Sequence, residues 1–474
     1  MSNQLQSYQV RLHLLSPVHI GTQEELDPFS YVIHNNTLYL IDLTKWIEHY
    51  HNPKEIHKMM DSNNFASVRT FIARHFDNPE AVLCAVATDS LKLIDDYDKA
   101  IKESNPINQV IVNPMTRNSV SQEAYVPGSS IKGAIRTAIA NKFVDAAGIT
   151  KNDVREYNQN IFGRVMEDPM KNLKIRDVPL GKPATVIVEA KEFSENPDKT
   201  LTPKGHYEAT YSYCHTGEPV VCQLGFSIAP FELHGKKVDV RFILNSLNNF
   251  YAVKYNEEYK KFYAQAQAKP IQQSIIPINL AVAQLKTNEA LIRIGHFSHI
   301  ECMTFDKIRN PKTSKGKDGK PLPFGTTRTL ANGLYPFGWA KLEFPGLPSK
   351  PHPKQNWAFP TSGSIISVQK AFPQPAPFPV TEKPKVTIEK PASPVKEEKP
   401  AAPLSAFDKL MNELSTLKVD DAGRLGQIIQ KLEILENDAE KSALARAIKD
   451  KMSPKSFKKH KKKDYLLQLI EKGR

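Results

Sequence analysis

Near the start of the chain Val10, Leu12 and Leu14 alternate with Arg11 and His13, a period of two that predicts a half-buried β-strand. Two further apolar runs, Tyr31–Ile33 and Leu38–Ile41, flank His34-Asn35-Asn36-Thr37. Asparagine tolerates the left-handed backbone of a tight turn, so this stretch predicts a hairpin. From Thr44 to about Ile101 the alternation gives way to long amphipathic stretches, which predict a helical insertion over 44–110. A further helix is expected at Ser129–Phe143, where Ile131, Ala134, Ile135, Ala138 and Ile139 share one face. Later strands are expected at Ala184–Ala190, Tyr207–Tyr213, Val220–Phe226 and Ala340–Phe344, with a helix near Leu244–Ala268. These elements make an α+β body in two halves, 1–175 and 176–350, without a visible internal repeat.

Beyond the body the texture changes. Twelve of the 53 residues from Pro351 to Pro403 are proline, mixed with Lys and Glu. Proline removes a backbone donor and fixes φ, so 351–403 reads as an extended linker. Residues 404–474 follow as a small all-α module with helices expected at Ala406–Leu417, Ala422–Leu435, Ala439–Lys451 and Asp464–Lys472. Between the last two lies a run with six lysines in the nine residues Lys455–Lys463.

Composition narrows the function. A chain of 474 residues with 40% hydrophobic content has room for several domains and a large core. Its net charge of +13 points to an acidic partner, of which nucleic acid is the commonest. The absence of a long apolar run argues against a membrane span, and the start lacks the charged-then-apolar texture of a secretory signal. Four cysteines (Cys84, Cys214, Cys222, Cys302) in so long a chain are no disulfide framework, so a reduced, cytoplasmic protein is expected.

Three glycine-containing segments carry candidate chemistry. Pro17-Val-His-Ile-Gly21 follows the first strand; Gly21 allows close backbone approach, and His19 is either a base, a stacking platform or a packed histidine. Tyr125-Val-Pro-Gly-Ser-Ser-Ile-Lys-Gly-Ala-Ile-Arg136 opens the well-signalled helix. Ser129 or Ser130 would cap it, its unpaired N–H groups would face a phosphate, and Lys132 and Arg136 would lie on one side. The spacing is not that of a P-loop. The third segment, Lys312–Trp339, interleaves Lys315, Lys317, Lys320 and Arg328 with Gly325, Gly333 and Tyr335-Pro-Phe-Gly-Trp339, the ingredients of single-strand binding by charge and stacking. Metal chemistry is weakly signalled. His206, Cys214, His215 and Cys222 have no zinc-knuckle spacing, and no HExxH is present.

Taken in order, these segments resemble the RAMP superfamily of CRISPR-associated proteins, and within it the crRNA 3′-end capping subunit of the type III-A (Csm) effector complex. The resemblance rests on His19-Ile-Gly21 with Glu25-Leu-Asp-Pro-Phe-Ser-Tyr-Val32, on Val126–Thr137, on Phe162-Gly-Arg164 and Lys174-Ile-Arg-Asp-Val178, and on Thr327-Arg328 through Pro336-Phe-Gly-Trp339. One departure is Gly21-Thr-Gln, where such proteins often carry Gly-x-Gly. The resemblance covers roughly 8–344 and implies two ferredoxin-like (RRM-like) domains, at 1–175 and 176–350. It also implies RNA binding without catalysis, cofactor or metal. The RNA contacts implied are His19, Gly21, Ser129, Ser130, Lys132, Arg136, Arg164, Lys315, Arg328, Gly333 and Trp339. The partners implied are crRNA, the backbone and small helical subunits of the complex, and host nucleases. The alternative left by the residues themselves is a metal-independent precursor-RNA endoribonuclease using His19, His296 or His299 as base.

Overall fold

The alternating segment at the start of the chain is strand β1 (Gln6–Leu14) in the computed structural model, and Val10, Leu12 and Leu14 are buried. The structure describes residues 4–61, 64–103, 110–145, 159–181, 184–196, 198, 200–213, 220–304, 306, 320–321, 323–352, 356–361 and 375–377. In the C-terminal region it describes 407, 410–411, 414, 425, 428–429, 431–432, 435, 437–453, 456–457, 460 and 462–472. The chain forms two compact units, Met1–Lys383 and Pro384–Arg474.

In the first unit the remaining strands are β2 (Tyr31–His34), β3 (Thr37–Ile41), β4 (Val82–Thr88), β5 (Val112–Asn113), β6 (Tyr125–Val126), β7 (Leu173–Ile175), β8 (Val178–Pro179) and β9 (Thr185–Ser194). They continue with β10 (Thr202–Thr210), β11 (Val220–Ile228), β12 (Phe231–Leu233), β13 (Lys236–Val238), β14 (Glu289–Arg293), β15 (Thr327–Ala331), β16 (Tyr335–Pro336) and β17 (Trp339–Glu343). One sheet runs β14-β17-β1-β11-β7, and its neighbours are antiparallel throughout. The other runs β16-β15-β9-β4-β3-β2, with β10 paired to both β9 and β5. Strand β9 reads Thr-Val-Ile-Val-Glu-Ala with six successive buried positions, as a strand covered on both faces requires.

Local signals explain several of these elements. Asn35 and Asn36 take φ of +48° and +57° between β2 and β3, the left-handed pair of a two-residue hairpin turn. On the outer face of β1, Arg11 and His13 both reach Glu343 of β17. On its inner face, Val10, Leu12 and Leu14 share one core with Ile131, Ile135 and Ile139 of the helix Gly128–Phe143. Tyr251 locks a second helical layer to that helix by donating to Ala134 O at 3.1 Å.

Three boundaries differ from those expected. Each large sheet draws strands from both 1–175 and 176–350, so the halves do not each own a sheet; strand pairing is long-range and leaves no local mark. The helical insertion contains β4, an apolar run whose edges pair with β3 and β9. The proline-rich stretch does not leave the body at residue 350. Phe359 is buried in the core beside Trp357, and Tyr39 donates its hydroxyl to Ala376 O at 3.0 Å. The Trp357 and Phe359 rings, and the Ala376 and Pro377 carbonyls that accept from Tyr39, hold these residues to the body.

In the second unit the helices Asp438–Asp450 and Lys463–Lys472 are described, and Leu444, Ile448 and Leu466 share a core with Leu414, Ile428 and Leu432. Most of the two earlier helices expected there, and four of the six lysines of the run, lie outside the described residues. Among the described residues no helix is long and apolar enough to cross a membrane.

Candidate nucleic-acid interface

Six stretches converge on a cleft of about 590 Å³: the segment after β1, Asn113-Pro114, the helix Gly128–Phe143, Tyr207 of β10, Tyr251, and the end of β14 with the chain following it. Gly295 makes the convergence. Its φ is +93°, and a Cβ there would lie 2.5 Å from His19 O, so only glycine lets His296 N–H donate to that oxygen at 2.9 Å. The His19 and His296 rings end 6.0 Å apart, with Tyr207 5.0 Å from His19 and Phe297 edge-on to Tyr207 and His296. Gly21 borders the same cleft, packed against His19 and Pro114.

His19 is 4% exposed, and its Nδ1 lies 2.6 Å from Glu208 O. A carbonyl only accepts, so Nδ1 carries the proton and Nε2 is left with its lone pair. Burial, the largest influence, holds its pKa below the ordinary imidazole value, so the ring is neutral near pH 7. Glu208 is itself fixed by Arg117, by Thr185 Oγ1 and by the backbone N–H of Met115.

The helix presents two different flanks. Ser130, Gly133, Ala134 and Thr137, spaced by three and four, line the cleft. Lys132 and Arg136 point elsewhere: Lys132 Nζ donates to Leu173 O at 2.8 Å, and Arg136 pairs with Asp168 at 2.7 Å while covering the Phe162 ring at 3.7 Å. Nor do the serines cap the helix. It starts one residue earlier, at Gly128, with Pro127 in the cap position and no side-chain cap bond. Gly128 N–H donates to Asp177 Oδ1 at 2.8 Å, and a Cβ at Gly128 would meet Ile175 O at 2.3 Å. The helix start expected to face a phosphate is lodged against the chain between β7 and β8, with an internal carboxylate on it.

The third expected segment divides. Lys315 lies outside the described residues. Arg328 is 3% exposed, paired with Glu258 at 2.8 Å and Glu301 at 2.9 Å over the Phe262 ring. Trp339 is fully buried under the Arg293 guanidinium. Gly333 forms the β15–β16 turn at φ +73°. Arg328 and Trp339 are therefore core groups, because interleaved cations and aromatics look alike in sequence whether they meet a base or each other. Arg164 is exposed and is not a lining residue of the cleft. Burial resists ionisation of Glu258, yet Arg293 and Arg328 outweigh it and hold the carboxyl down at about 2.

Of the expected contacts, the structure brings His19, Gly21 and Ser130 together and disperses the other described ones. Tyr207, Arg293 and Gly133 of the cleft were missed; Gly295 and His296 were visible as a Gly-His pair, but nothing local tied them to His19. His299 takes φ +57° and accepts from Thr329 N–H of β15 at 3.3 Å, and it is not among the residues that line the cleft. His206 contacts Ser90 at 3.3 Å, Cys222 is buried, and Cys214 and His215 lie outside the described residues. Among the described residues no group of three or more potential metal ligands occurs.

Residues 11–313, more than half of the sequence, match the RAMP superfamily model, and the chain belongs to that superfamily. It is similar to the CRISPR system Cms protein Csm5 of Methanocaldococcus jannaschii, with 28% identity over 186 residues, 36% of this chain and 42% of the relative. The match thus spans less than half of that relative's length. A chain of the Csm–crRNA–target RNA ternary complex of a type III-A CRISPR-Cas system shares the fold at a TM-score of 0.50 and 20% identity, over 71% of this chain and 100% of that one. The crystal structure of T. onnurineus Csm5 aligns at a TM-score of 0.42 and 17% identity, over 70% and 99% of the two chains.

Proposed function

We propose that the chain is a non-catalytic RNA-binding subunit of a type III-A CRISPR interference complex, holding the 3′ end of the crRNA and supporting crRNA maturation and antiviral defence in the cytoplasm. The observation that carries this reading is the similarity, within the superfamily, to a protein named Csm5. The ring-lined cleft supports it with a surface suited to single-stranded RNA. In this reading the body is built on two ferredoxin-like folds, and its partners are crRNA, the backbone and small helical subunits, and host nucleases that trim the RNA. Co-expression with the other subunits and a guide, followed by sequencing of the co-purified RNA, tests it. Guides with uniform 3′ ends are expected. A preparation with no bound RNA and no affinity at low ionic strength overturns the reading.

One observation favours a second reading, a metal-independent endoribonuclease. His19 Nε2 is an unprotonated acceptor in a cleft that also holds His296, and a base–acid pair of histidines accelerates such a reaction ~10²–10⁴-fold for each proton transfer. Incubation with repeat RNA in EDTA separates the two. Site-specific cleavage that disappears in His19→Ala establishes the nuclease, and intact RNA removes that reading.

A further inference from the structure

The cleft differs from a phosphate trap in one respect. Arg293 is the only Lys or Arg among its described lining residues, and Glu24 also lines it. The Arg293 charge is already matched: Glu258 takes its Nη1 at 2.5 Å, and Glu258 and Glu301 together balance Arg293 and Arg328. Arg293 is 2% exposed, and its Nε donates to Phe337 O at 3.1 Å, but Nη2 has no hydrogen-bond partner. A buried donor left without an acceptor carries its full desolvation penalty until something supplies one. Also lining the cleft, Tyr207 and His296 lie within 22° of parallel with ring centroids 6.1 Å apart. The site therefore offers stacking surfaces with little net charge, and at its wall a buried N–H donor that lacks an acceptor.

From this juxtaposition we infer that the cleft takes one unstacked nucleobase of single-stranded RNA, a base with an exocyclic carbonyl, which packs on Tyr207 and His296 and accepts from Arg293 Nη2. The inference rests on the RNA-binding reading above and deepens it by naming what enters the cleft. The phosphates of the same strand stay outside, where the +13 chain has its other cations. Uracil, cytosine and guanine carry the required carbonyl and adenine does not.

Gly133 provides the test. It lines the cleft, and a Cβ built there meets nothing within 4 Å, so Gly133→Trp fills the cavity from an open helix face. Fluorescence anisotropy with the full-length chain and labelled oligo(U), oligo(C) and oligo(A) of equal length reads the affinities. The wild type is expected to bind oligo(U) and oligo(C) about tenfold more tightly than oligo(A), a difference within reach of one stacked and hydrogen-bonded base. Gly133→Trp should lose that preference, as should His296→Ala, whose side chain is exposed and whose removal spares the core. Val120→Ala, at a 90% exposed turn position outside the cleft, is the control and should match the wild type. If the wild type binds RNA without base preference, or both cleft variants keep it, the base pocket is refuted while the RNA-binding reading stands. If the wild type binds none of the three RNAs, alone or assembled with the other subunits, that reading falls and the inference with it.

Discussion

Arg328 shows how far a side chain's surroundings can depart from its sequence context. Among Lys320, Gly325 and Gly333 it reads as a phosphate contact, yet its guanidinium is buried against Glu258, 70 residues away. Arg328→Ala should therefore act on stability, costing about 3–5 kcal/mol by leaving Glu258 short of a partner. Thermal or denaturant unfolding would record that loss, whereas a stable variant with weakened RNA binding would restore the contact role. His299 supplies a pH-dependent counterpart. Burial first, then Arg293 and Arg328, hold its pKa well below the ordinary value. The folded chain therefore binds fewer protons than the unfolded chain once the pH drops below about 6.5, so stability is present above that value and is lost on acidification. His13, His19 and His206 are also lowered chiefly by burial and act in the same sense. Tm should fall between about pH 7.5 and about pH 5, and less steeply in His299→Asn, since asparagine accepts the positive φ of this position. Equal slopes in the two proteins would remove His299 from the account.

The helix Gly128–Phe143 was legible because its apolar stripe is a local pattern, and Ile131, Ile135 and Ile139 are all buried. Its functional flank was not. Lys132 and Arg136 stood out by charge, but the groups they satisfy, Leu173 O and Asp168, come from 41 and 32 residues further along. The flank that borders the cleft is small and nearly uncharged, a composition that draws no attention in a sequence. Gly133 sits within this helix with open space around it, so Gly133→Ala should stabilise the fold by roughly 0.5–1 kcal/mol through reduced freedom of the unfolded chain. The urea midpoint checks this, and a lower midpoint would mean that the position is more confined than its surroundings indicate. The β2–β3 hairpin was equally legible, since two asparagines in the left-handed region specify the turn without help from the rest of the chain.

Considered as an assembly, the molecule has two units that meet the solvent with different chemistry. The first carries the cleft, and the second carries the lysine run at 455–463. Removing 384–474 should leave the first unit folded, with its own cooperative thermal transition, because its core residues all precede Lys383. If all six lysines of the run meet RNA phosphates, the same truncation should flatten the dependence of log K on log salt by about 4, at ~0.7 per contact on a single strand. An unchanged slope would assign the run to solvent or to a protein partner.

Periodicity, turn residues and proline content alone were sufficient for an α+β body, its first strand, its hairpin, its main helix and a separate basic tail, because each depends on neighbours within a few positions. Membership of the RAMP superfamily was likewise legible in short glycine-centred motifs. Folding settled which strands share a sheet, which cations are spent inside the protein, and that His19, Tyr207, Arg293 and His296 meet around one cavity. Those outcomes depend on contacts between residues tens to hundreds of positions apart, for which a linear sequence holds no local sign.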